Sequence, residues 1–150
     1  EVGDLDGDGA LEIYATPSLP NKLDGTPQPG FVTRYTPGAD EPRVVVADLG
    51  DRHAKEILVD DVDGDGTDEL YVSVEAVAGG RVEILRFDAD TDPTAGVLIT
   101  SLDDNLTRFL TAGDVDGDGW DAADHAGRRV DRYDGRHRHE PGRGRHGDVE

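Results

Sequence analysis

The motif D-[LV]-D-G-D-G occurs three times in this chain, at residues 4–9, 61–66 and 114–119. Aligned on their first aspartates, Asp4, Asp61 and Asp114, the copies stand 57 and 53 residues apart. The likeness continues past the glycines: DLDGDGALEIYA lies over DVDGDGTDELYV, with Glu12 over Glu69, Ile13 over Leu70 and Tyr14 over Tyr71. A period of this length marks a repeated supersecondary unit, and such a unit buries its apolar face only by stacking on its neighbour.

Between the motifs the apolar runs are short, rich in β-branched and aromatic residues, and bounded by Gly, Pro, Asp and Thr. They predict strands near 11–16, 31–36, 43–48, 56–59, 69–76, 81–87, 97–101 and 107–111. Turn signals such as DGTPQPG at 24–30 and DADTDPTAG at 88–96 separate them. No window of useful length carries a helical period. The expected fold is all-β: a β-propeller fragment of about two four-stranded antiparallel blades. Two blades do not close a ring, and residue 4 already opens a repeat, so the chain is expected to belong to a longer protein.

Three carboxylates so close together repel, by roughly 1 kcal/mol per pair at about 4 Å in water and about 4 kcal/mol at a surface-like dielectric. A cation removes that cost. Calcium takes six to eight oxygens, and carboxylates at alternate positions of a loop supply them when glycines let the backbone curl around the ion. In the first loop Asp4, Asp6 and Asp8 occupy positions 1, 3 and 5, Ala10 offers a carbonyl at position 7 and Glu12 falls at position 9. In the second, Asp61, Asp63, Asp65, the carbonyl of Thr67 and Glu69 take the same places. The third has Asp114, Asp116 and Asp118 with the carbonyl of Trp120, but Ala122 stands at position 9, so two bound ions are expected rather than three. An EF-hand loop needs a glutamate at position 12, where this chain has Ala15, Val72 and His125, and helices on both sides.

GDLDGDGALEIY, DDVDGDGTDELYV and AGDVDGDGWD resemble the calcium loops of FG-GAP/VCBS repeats, the blades of integrin-α-like propellers. The resemblance covers residues 1–121 and is closer to the VCBS-like branch, since the Phe-Gly and Gly-Ala-Pro hallmarks of the integrin type are absent. It implies Ca2+ as the bound ion, with each loop joining the first two strands of a blade. It further implies an extracellular or cell-surface location and a structural, adhesion or ligand-binding scaffold. A protein or carbohydrate ligand would bind the complete propeller. Two alternatives stay open: an accessory propeller domain of a secreted carbohydrate-active or other hydrolytic enzyme, and a dockerin or EF-hand-like calcium module.

Charge narrows the partners further. Net charge is −19, with 29 acids against 8 bases in residues 1–124 and 5 acids against 7 arginines in residues 125–150. The acidic body excludes nucleic acid, which needs a basic footprint, and no run of about 20 apolar residues provides a membrane span. No nucleophile, zinc or nucleotide motif is present, and the chain is expected not to be an enzyme. The paired acids Asp60/Asp61 and Asp103/Asp104 read as solvated loop residues, and His53 as a surface turn histidine. Tyr14, Tyr71 and Trp120 are expected to pack between blades. Residues 1–124 form the propeller-like region. The Arg-, His- and Gly-rich segment 125–150 is expected to be disordered or out of frame, because it has few apolar side chains to offset the entropy of ordering.

Overall fold

A computed structural model describes residues 1–76, 80–103 and 109–113. The expected third loop and the segment 125–150 lie outside these residues. Eight strands follow in order: β1 Val2–Gly3, β2 Glu12–Ala15, β3 Gly30–Tyr35, β4 Arg43–Gly50, β5 Ala54–Asp60, β6 Glu69–Val74, β7 Val82–Phe87 and β8 Val97–Leu102. They form two four-stranded antiparallel meanders, β1-β2-β3-β4 and β5-β6-β7-β8, and no helix occurs among the described residues. The chain is all-β, built as two successive sheets of the kind expected for two propeller blades.

Seven of the expected strands are present with ends shifted by a few residues. The two-residue β1 escapes sequence reading because Val2–Gly3 is too short to show alternation; it exists through pairing, Val2 with Ile13 and Gly3 with Glu12. The strand expected at 107–111 is absent over its described part, residues 109–111. The acidic loops join β1 to β2 and β5 to β6, the first two strands of each sheet.

Alternation along the strands explains the packing. In β6, Leu70, Val72 and Val74 point to one face and Glu69, Tyr71 and Ser73 to the other, yet all six are buried. The first face meets Leu5, Tyr14, Val32 and Ala47 of the first sheet, with Ile57, Val59 and Phe87 completing this core. The second face carries a smaller cluster of Val62, Tyr71 and Ile84, against which Leu110 and Ala112 pack. Burying each Leu, Val or Phe side chain contributes about 1.5–3 kcal/mol. In β2 Glu12 and Tyr14 are buried, but Ile13, the counterpart of Leu70, stays 47% exposed, so the first sheet buries one face and the second buries both.

The sheets also meet at their ends. A Cβ on Gly30 would lie 1.7 Å from the Arg52 carbonyl oxygen, so only glycine admits this crossing between β3 and the residues leading into β5. Beside it His53 is 4% exposed, with Nδ1 3.2 Å from Glu75 Oε1 and Nε2 3.2 Å from the Gln28 carbonyl. This corrects the surface-turn reading. His53 opens the strand that docks on the first sheet, and the 16–29 connection closes over it.

Candidate metal centre

The second loop gathers Asp61, Asp63, Asp65 and Glu69, one carboxylate oxygen from each lying within 4.8 Å of the others. Gly66 at position 6 has φ +95°, a left-handed turn that favours glycine and brings the chain back over the aspartates. Its N–H donates to Asp61 Oδ2 at 2.9 Å, and the Thr67 N–H donates to Asp65 Oδ1 at 2.9 Å. Glu69 is held from two sides: its Oε2 accepts from the Val62 N–H at 3.1 Å and from the Tyr71 hydroxyl at 3.4 Å. Arg86, the β7 partner of Tyr71, donates from Nη2 to Asp63 Oδ2 at 2.8 Å and comes within 3.5 Å of Glu69 Oε1.

These contacts tie down one oxygen of several carboxylates and leave others bare. Asp61 Oδ1 and Asp63 Oδ1 are buried without a hydrogen-bond partner. A buried charged oxygen with nothing to pair is costly unless a cation completes it. Burial pushes the Glu69 carboxyl up to about 7, with Arg86 pulling it down and Asp63 raising it further.

The first loop is built alike up to a point. Asp4, Asp6 and Asp8 are brought together, and Gly9, with φ +87°, donates its N–H to Asp4 Oδ2 at 2.8 Å. The Asp8 N–H donates to Asp4 Oδ1 at 3.0 Å, and the Ala10 N–H to Asp8 Oδ1 at 2.7 Å. Arg34, the β3 partner of Tyr14, pairs through Nη1 with Asp6 Oδ2. Glu12 differs from Glu69: it is fully buried but stands outside the cluster of the three aspartates. Its Oε2 accepts from the Tyr14 hydroxyl at 3.1 Å, and its Oε1 has no partner. Burial raises its pKa, the Tyr14 hydrogen bond opposes this, and Asp6 raises it again.

All the donors are oxygens, hard ligands suited to calcium or magnesium rather than to thiolate- or imidazole-preferring metals. The bare, buried oxygens of the second loop fit such a cation. Ala10 and Thr67 sit at the turn positions read as carbonyl donors, whereas Asp114, Asp116, Asp118 and Trp120 fall outside the described residues. Tyr14 and Tyr71 are buried and each serves its glutamate by hydrogen bond. Spacing within the motif missed Arg34 and Arg86. The available signal was an arginine next to last in a strand, Arg34 in GFVTRY and Arg86 in VEILRF, in a strongly acidic chain.

No helix among the described residues is long and apolar enough to cross a membrane. Comparison of the chain with protein-family models, with curated proteins and with solved structures gives no match.

Proposed function

We propose that this chain is a calcium-stabilised pair of β-propeller blades of the FG-GAP/VCBS type, serving as a scaffold for adhesion or ligand binding in an extracellular or cell-surface protein. The observation that carries the reading is the second loop, where four carboxylates converge and two of their buried oxygens have no protein partner. Its likeness to the first loop, at the matching place in the neighbouring sheet, adds support. The ion's role is structural: it neutralises the loop and fixes the turn between the first two strands of each blade. Both loops lead from strand to strand, as a blade requires, rather than from helix to helix.

Binding to the native state alone stabilises by RT ln(1 + [L]/Kd), about 2.7 kcal/mol per site at a hundredfold excess of ion. Thermal melts in EDTA, in millimolar calcium and in millimolar magnesium test this. A rise in melting temperature with calcium is expected, and superimposable melts sink the reading.

A further inference from the structure

Arg34 and Arg86 occupy matching places in the two sheets, each directly across the ladder from the tyrosine that follows its loop's glutamate by two residues. Each guanidinium reaches the same member of its loop, the second aspartate, through that residue's Oδ2. The consequence is visible in the second loop, where Oδ2 of Asp63 is held and Oδ1 is left buried and unpartnered. Arg86 is itself fixed from the far side, Nε donating to Asp88 Oδ1 at 2.5 Å. Arg34 lacks this brace, since its Nε has no hydrogen-bond partner.

Outer groups that hold one atom of a ligand fix the direction in which the other atom points, and metal affinity depends on them. We propose that Arg86, and Arg34 in the first loop, are positioning residues that orient the second aspartate toward a divalent cation. The proposal rests on the calcium reading above. A guanidinium beside a cation site has two effects of opposite sign. Its charge repels the ion, and its grip on Asp63 removes the rotational freedom the carboxylate would otherwise lose on binding. In the second loop the grip dominates, because Arg86 is held at both ends, by Asp88 on one side and by Asp63 and Glu69 on the other.

The opposite signs make a titration decisive. Calcium would be titrated calorimetrically into the full 150-residue chain and into Arg86→Gln, Arg86→Lys and Arg34→Gln. Arg86→Gln is expected to weaken one site roughly tenfold, the loss of one charge-assisted hydrogen bond. Arg86→Lys is expected to restore part of it, and Arg34→Gln to cost less. A glutamine variant that binds calcium as tightly as the parent, or more tightly, overturns the proposal and leaves the calcium reading standing. A parent chain that binds no calcium overturns both. Circular dichroism checks that each variant keeps its β signal, and if Arg86→Gln fails to fold, weakened binding by Arg34→Gln supports the proposal and unchanged binding overturns it.

Discussion

The Asp68 carboxylate accepts a hydrogen bond from the backbone N–H of Asp4 at 2.7 Å, so a residue of the second acidic loop holds the first residue of the first. Asp68 falls at position 8, between the Thr67 turn and Glu69, and is not part of the carboxylate cluster of its own loop. Gly3 leaves the space for this contact: a Cβ there would lie 2.6 Å from Asp68 Oδ2. The two acidic loops therefore touch, and one acid joins them.

The first prediction separates ligand from support. Asp65→Ala is expected to weaken calcium binding more than Asp68→Ala, because only Asp65 belongs to the converging cluster. Asp68→Ala instead is expected to lower metal-free stability by about 1–3 kcal/mol, the cost of an unmade hydrogen bond to a charged group. Calorimetric titration and melts in EDTA read the two effects. Equal losses of affinity would mean that only overall charge matters.

A pH dependence follows from Glu69. Its carboxyl sits at about 7 in the fold against an ordinary 4.5, so between those values the folded chain keeps a proton that the unfolded chain has released. Its contribution to stability is fully present below about 4.5 and is lost as the pH rises through about 7. In EDTA, Glu69→Gln is expected to flatten the fall in stability between pH 5 and pH 8 that the parent shows. Calcium must displace the same proton, so binding near pH 6 is expected to release more protons than binding near pH 8. Titrations in two buffers of different ionisation heat measure this, and identical heats in both buffers would exclude it.

His53 gives a prediction independent of metal. It spans from Glu75 in the second sheet to the Gln28 carbonyl in the connection above the first, while Lys55 Nζ holds the other Glu75 oxygen at 2.6 Å. Burial works to raise the Glu75 pKa, but the hydrogen bonds and charges of Lys55 and His53 outweigh it and bring it below the ordinary value. His53→Ala is expected to cost about 1–3 kcal/mol, by removing the buried ring that lies 3.2 Å from both the Glu75 carboxylate and the Gln28 carbonyl. The drop in melting temperature should be of similar size in EDTA and in calcium. A drop seen only in calcium would tie His53 to the metal loops instead.

Gly30→Ala tests the crossing of the two sheets. The added methyl would meet the Arg52 backbone carbonyl, which has no flexible side chain to move aside. A loss of about 1–3 kcal/mol is expected from the forced backbone shift. Urea unfolding midpoints compare the variant with the parent, and an unchanged midpoint would show that the contact relaxes freely.

What the sequence determined by itself was whatever is encoded over a few neighbouring residues. Two-residue alternation in ELYVSV and RVEILRF marks strands, Gly at position 6 marks the turn, and carboxylates at positions 1, 3 and 5 end up together because the loop is short. Seven of the eight strands follow from those signals, whereas the two-residue β1, which completes the first group of four, exists only through its pairing with β2. The tertiary structure decided whatever depends on register between distant segments. Arg34 meets Asp6 only because β3 pairs with β2 so that Arg34 faces Tyr14, across a connection of residues 16–29 whose length no local pattern dictates. His53 looks like a turn residue in GDRHAKE and is buried because the Gln28 carbonyl of the 16–29 connection and Gly30 at the start of β3 lie against it. Glu12 and Glu69 are equivalent in the repeat, yet Glu69 joins its cluster and Glu12 stands apart from its own. A glutamate carboxylate, placed by three rotatable bonds, can reach several places from one backbone position, and the packing around it selects among them.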